Sequence, residues 1–295
     1  MNINTIVQRL RKRVLRKVYQ LSFLQNQSEQ NYLAATEKHS CFLPAISTND
    51  LILVETIKRE GVAITSLDAL SITSTEKMLQ AAQNLMPKIP RNVCGDKRKY
   101  VVHATAEQML ANPEIFLWGL QERLLNIVEH YIGLPVAYHG AYFRRDLANQ
   151  VERKSRLWHI DTEDRKILKI IVYLHNIDED GGPFQYIPQY LTDIVAKSLK
   201  YKYGYISQKR MRTALPPSYW KSCHGNAGTV IFAATASVFH RGKIPTKSDR
   251  FTIFFDYTSR QPKYPFYCNS SLIRDNLLSL ASNFYEQQKQ CVFWL

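Results

Sequence analysis

From residue 136 to about 260 the chain alternates apolar and polar positions in short runs: VAYHGAYFR, RLWHID, LKIIVYLHNI, PFQYIP, GTVIFAA, SVFHRG and RFTIFFDYTS. A period of two, broken by Gly, Pro and Asp turns, predicts strands. Earlier in the chain the apolar positions recur at helical spacing, over about 49–60, 74–86 and 113–132. Asn112 before Pro113 predicts a capped start to the last of these. GVAITSL (61–67) reads as a short strand, 26–48 as a polar linker, 189–224 as a Tyr- and Lys-rich insertion, and 271–289 as a helical tail. Helices first and a strand series second predict an α+β fold with a β-sandwich or barrel core. The expected division is a basic helix and linker over 1–48, then a single domain over 49–295 whose strand core spans about 136–260.

The segment RLRKRVLRK (9–17) carries six positive charges and no acid, and Ile3, Val7, Leu10, Val14, Val18 and Leu21 fall on one side of a helix around it. Two readings stay open for this amphipathic helix. It docks on the core with a solvated basic back, or it meets an anionic membrane surface or an acidic carrier. The net charge of +14 invites nucleic acid, but outside this segment the Lys and Arg are scattered and carry no nucleic-acid motif, so no nucleic-acid partner is expected. Cys41, Cys94, Cys223, Cys268 and Cys291 are odd in number, far apart and without a C-x-x-C pair. That spacing excludes a disulfide framework or a zinc ribbon and points to a reducing, cytoplasmic setting. No apolar run approaches the roughly 20 residues that cross a bilayer.

The candidate chemistry starts at WHID. In an extended strand, His159 and Asp161 share one face and Trp158 and Ile160 take the other, so two metal-capable side chains point the same way. SVFHRG adds His240, and DRFTIFF adds Arg250 ten residues later at the start of another strand. A lone H-x-D is a weak signal; the ordered set is a specific one. In WHID, in DEDGGPFQYIP, in GTVIFAATASVFHRG and in Arg250, residues 136–260 resemble the phytanoyl-CoA dioxygenase-like branch of the Fe(II)/2-oxoglutarate oxygenases. The family's usual Gly-Ser-His after Ile-Pro is Gln189, Tyr190 and Leu191 here, where the insertion begins.

The resemblance implies a double-stranded β-helix (jelly-roll, cupin-like) core with the N-terminal helices packed on it, and a soluble iron-dependent dioxygenase acting on a small molecule. It implies Fe(II) held by His159, Asp161 and His240 as the catalytic centre, with 2-oxoglutarate and O2 as cosubstrates. Arg250 would meet the far carboxylate of 2-oxoglutarate, because guanidinium binds carboxylate through two parallel hydrogen bonds. Thr252, two residues on and on the same face, adds a hydroxyl. Asp161 is a carboxylate rather than the small residue of related halogenases, which favours hydroxylation-type chemistry. Lys169 interrupts the apolar run ILKIIVYL and needs a carboxylate, either the cosubstrate's or one of the chain's own, unless it reaches solvent. Tyr142, in the strand before H-x-D, is a further cosubstrate-binding candidate. His130, His175 and His224 lack ligand-like neighbours and read as structural or surface residues, and Trp158 as core. The competing expectations are a non-catalytic jelly-roll binding protein on an anionic surface and a metal-dependent hydrolase; neither has a use for Arg250 beside the full ligand set.

Overall fold

The computed structural model describes residues 3–91 and 98–294, so Cys94 lies outside the described residues. The first half runs α1 (Ile3–Tyr19), α2 (Ser22–His39), α3 (Thr48–Glu60), β1 (Val62–Ser66), α4 (Leu67–Leu70), α5 (Thr75–Leu85), β2 (Val101–His103), α6 (Ala106–Leu110), α7 (Pro113–Trp118), α8 (Glu122–Ile132) and β3 (Val136–Asp146). The second half runs β4 (Leu168–Tyr173), β5 (Phe184–Tyr186), α9 (Gln189–Ser198), α10 (Gln208–Ala214), β6 (Lys221–Cys223), β7 (Thr229–Ala234), β8 (His240–Gly242), β9 (Arg250–Ser259), α11 (Arg274–Leu280) and α12 (Glu286–Val292). Among these helices none is long and apolar enough to cross a membrane.

The strands form a six-stranded antiparallel sheet, β1-β7-β4-β9-β3-β2, and a three-stranded one, β6-β5-β8. Alternation along β4 and β9 sorts the two faces of the large sheet. Leu168, Ile170, Val172, Ile253, Phe255 and Tyr257 join the core shared with α3, α5, α7 and α8. Lys169, Ile171, Tyr173, Arg250, Thr252, Phe254 and Asp256 point the other way, into a cavity that Phe184, His240 and Gly242 of the small sheet also line. The helix-covered face makes the large sheet a rigid wall; the opposite face carries the polar side chains. The mixed helix and antiparallel-sheet architecture agrees with the expected α+β class, and the two sheets stay separate rather than closing into a barrel.

Several local expectations differ from the structure. RLWHID is extended but pairs only through isolated bridges, Trp158 with Ile206 and His159 with His240, before the chain turns away. The polar stretch 26–48 is largely helix, α2. It has no buried residue and hence no apolar stripe, so its pattern carried no helical signal. The predicted helix 113–132 is broken into α7 and α8, because hydroxyls from the sheet take carbonyls at the break: Tyr138 donates to Phe116 O (3.0 Å) and Tyr257 to Gly119 O (2.7 Å). Asn112 precedes Pro113 without capping the helix; its amide donates back to Gln108 O at 2.8 Å. The tail is two short helices rather than one. The apolar stripe of α1 does not dock on the core: Val7, Leu10, Val14, Val18 and Leu21 are all exposed.

Candidate metal centre

His159 and His240 are brought together by backbone pairing. Each donates its N–H to the other's carbonyl, at 3.1 and 2.9 Å, so the two side chains sit side by side on one face. Their rings stand 4.2 Å apart. Asp161, two residues on, keeps that face because its N–H donates to Thr235 O at 3.0 Å. One ligand atom from each of the three lies within 4.8 Å of the others. A single bridge thus does the work expected of a full strand.

The imidazoles are set for metal. His159 Nδ1–H donates to Leu157 O (2.8 Å) and His240 Nδ1–H to Val238 O (3.2 Å), which leaves each Nε2 with its lone pair. Those Nε2 atoms face Asp161, at 3.6 Å from Oδ1 and 3.7 Å from Oδ2 respectively. Burial lowers the pKa of both rings, His240 to about 3, so both are neutral at pH 7. Burial alone would raise Asp161, but Lys169, His240 and His159 together hold it well below the usual carboxylate range. Two neutral imidazoles and one carboxylate, converging from one side, form a donor set that grips a divalent cation and leaves its opposite side open.

Six of the seven residues singled out from the sequence line one cavity of about 240 Å³: His159, His240, Arg250, Thr252, Lys169 and Tyr142. Asp161 joins them through its contacts with both histidines. Away from the histidines, Arg250 is 3 % exposed and pairs with Asp146 at 3.1 Å. Asp146 also accepts from Arg144, at 2.7 and 3.1 Å. Burial opposes its charge, yet Arg144 and Arg250 outweigh burial and keep it ionised. Two guanidiniums share one carboxylate, so this end of the cavity keeps a surplus positive charge. Arg250 Nε and Thr252 Oγ1 are buried and find no hydrogen-bond partner among the described residues. A buried unpaired donor costs about 1 to 3 kcal/mol, which an anionic ligand would recover. Gly242 leaves the room this takes: a Cβ there would stand 2.9 Å from Arg250 Nη2.

Lys169 is committed elsewhere. Its ammonium lies 2.8 Å from Asp161 Oδ2, an ion pair that misses hydrogen-bond alignment, and 3.8 Å from Asp256. Burial opposes its charge, but Asp161, Asp256 and Glu163 overcome that and raise its pKa. Glu163 and Asp256 are pushed up, mainly by burial, with Asp161 adding to it and Lys169 opposing. Tyr142 presents its ring to the cavity and donates its hydroxyl to Asn269 O (3.1 Å). Trp158 is fully buried and packs with Trp220, as expected of core. His130 contacts Pro44 O, His224 pairs with Glu179 and His175 accepts from Phe251 N–H, none of them near the triad.

The sequence reading missed Arg144, Asp146 and Asp256. Their signal was the period of two itself: 142, 144 and 146 on β3 and 250, 252, 254 and 256 on β9 share the face of the candidate ligands. The insertion reaches the site through its 200–206 loop, where Tyr205 packs 5.1 Å from the His159 ring and Tyr201 Oη accepts from Ile160 N–H at 3.2 Å.

No protein-family model and no curated protein sequence matches the chain. Solved structures match its fold. A non-heme alpha-ketoglutarate-dependent carbocyclase, SnoK from nogalamycin biosynthesis, is 15% identical, with 79% of this chain and 90% of that one covered and a TM-score of 0.52. EctD from S. alaskensis with bound Fe is 17% identical, with 75% and 80% covered and a TM-score of 0.50. At such identities the likeness extends to the fold alone.

Proposed function

We propose that this chain is an Fe(II)- and 2-oxoglutarate-dependent oxygenase of a small-molecule substrate. One observation carries the reading: a neutral His–His pair with an ionised carboxylate shares a cavity with a buried arginine whose charge is not fully matched and whose Nε has no hydrogen-bond partner among the described residues. His159, Asp161 and His240 would hold the metal through Nε2, a carboxylate oxygen and Nε2. With 2-oxoglutarate bound, Fe(II) supplies oxidation of a substrate C–H bond with O2 as oxidant.

The chain's own residues do the rest. Arg250 and Thr252 bind the far carboxylate, with Asp146 fixing the guanidinium from behind. Lys169 steadies Asp161 through Oδ2, the oxygen that also faces His240. Phe184, stacked on His240 at 5.6 Å, and Tyr205, against His159, keep bulk water from the two imidazoles. The fold likeness to SnoK, an alpha-ketoglutarate-dependent carbocyclase, and to EctD with bound Fe supports this assignment. The order of WHID, DEDGGPFQYIP, SVFHRG and Arg250 supports the phytanoyl-CoA dioxygenase-like branch in particular.

Incubated with Fe(II), 2-oxoglutarate and air, the protein should release succinate well above a His240→Ala control. Equal succinate from both would contradict the reading and favour a non-catalytic binding protein.

A further inference from the structure

α1 sits on the body by its cationic and aromatic side and turns its apolar side outward. The Arg16 guanidinium stacks 3.8 Å over the Tyr203 ring, the Lys12 ammonium lies 5.7 Å over Tyr267, and the Tyr19 ring packs 5.3 Å from Phe266. At 3.6 residues per turn, Lys12, Arg16 and Tyr19 share one face of α1, and Val7, Leu10, Val14 and Val18 lie opposite, with Leu21 just beyond the helix end. Those apolar residues are exposed, Val14 at 60% and Leu10 at 54%. Within α1 they form a ridge about 17 Å long, at about 1.5 Å of rise per residue from Val7 to Val18. The exposed cations Arg11, Arg13 and Lys17 flank the ridge, and no acidic residue occurs between 3 and 21. An amphipathic helix docked by its polar face has its apolar face left for something else.

We propose that α1 is an interfacial helix that docks the protein on an anionic lipid bilayer, with Val7, Leu10, Val14, Val18 and Leu21 entering the headgroup–acyl boundary and Arg11, Arg13 and Lys17 pairing with lipid phosphates. Charge selects this occupant. A second copy of the chain on the same ridge would bring Arg11, Arg13 and Lys17 of both chains together with no acid to pair them, whereas a negative bilayer answers both the apolar ridge and its cationic margins. The helix rests on the loop that carries Tyr203 and Tyr205, and Tyr205 lies against His159, so the docked surface and the candidate metal centre share a segment. The proposal does not depend on the oxygenase reading.

Co-sedimentation of the full chain with vesicles tests it. At low salt the protein should bind vesicles of mixed phosphatidylglycerol and phosphatidylcholine at least tenfold more tightly than vesicles of phosphatidylcholine alone. Leu10→Asp/Val14→Asp and Arg13→Glu/Lys17→Glu should each weaken that binding at least tenfold. These side chains are exposed, so thermal melting should match wild type and exclude misfolding as the cause. No binding by wild type, equal binding to both vesicle types, or wild-type binding by either variant would overturn the proposal. So would sedimentation velocity showing a wild-type dimer that Leu10→Asp/Val14→Asp converts to monomer, because the ridge would then be a self-interface.

Discussion

The two ends of the cavity differ in their balance of acid and base. Around Arg250, two guanidiniums share the single carboxylate of Asp146, and the local surplus is positive. Around Lys169, one ammonium stands among three acidic side chains, Asp161, Asp256 and Glu163, of which Asp161 is held ionised while burial pushes the other two up. Both ends project from the same face of the same sheet, so the difference lies in which alternate positions of β3, β4 and β9 carry acid or base. An acid-rich end beside two neutral imidazoles suits a divalent cation, and a base-rich end with unpaired donors suits a small carboxylate. A ligand with a metal-chelating end and a free carboxylate would answer both.

Breaking the basic end should have the larger effect. Arg250→Leu should weaken 2-oxoglutarate binding to the metal-loaded protein at least tenfold, since a charge-assisted pair contributes about 1.5 to 3 kcal/mol. Metal affinity should change by less than a few-fold, and calorimetry of each ligand separately distinguishes the two. Arg250→Lys keeps the charge that Asp146 needs and loses the two-pronged geometry, so it should fall between wild type and Arg250→Leu. Unchanged 2-oxoglutarate affinity in Arg250→Leu would remove Arg250 from the site.

A smaller effect, on stability in the metal-free protein, separates the ends by sign. Asp146 has its pKa lowered on folding, so its stabilisation is complete above the unfolded value of about 3.9 and is lost as pH falls through the folded pKa. Asp256 has its pKa raised, so stability is lost as pH rises from that unfolded value through the folded pKa. Melting curves should therefore show Asp146→Asn costing more at pH 7 than at pH 3. Asp256→Asn should be relatively more favourable at pH 7 than at pH 4. The same sign of pH dependence in both variants would erase the distinction between the ends.

The metal end was the more legible in the sequence. His159 and Asp161 are two residues apart, and His240 and Arg250 sit in runs with clear strand character, so the candidates were visible before their pairing was known. The pairing itself was not visible, because the His159–His240 bridge joins residues far apart through a single ladder rung. Arg144, Asp146 and Asp256 read as ordinary strand charges until the β3–β9 register puts Asp146 opposite Arg250. The break between α7 and α8 depends on Tyr138 and Tyr257, hydroxyls supplied by strands later in the chain. For α1 the periodicity revealed the apolar stripe but not which side faces the body; Tyr203, Phe266 and Tyr267, remote in sequence, decide that.

The central claim is that one cavity binds a divalent metal at its acidic end and 2-oxoglutarate across to its basic end. An anaerobic optical titration tests it most directly, adding Fe(II) and then 2-oxoglutarate to the wild-type protein and to Asp161→Ala. Wild type should give a weak visible charge-transfer band that needs both additions, and Asp161→Ala should give none. A wild-type protein that gives no band, or an Asp161→Ala variant that gives the wild-type band, would contradict it.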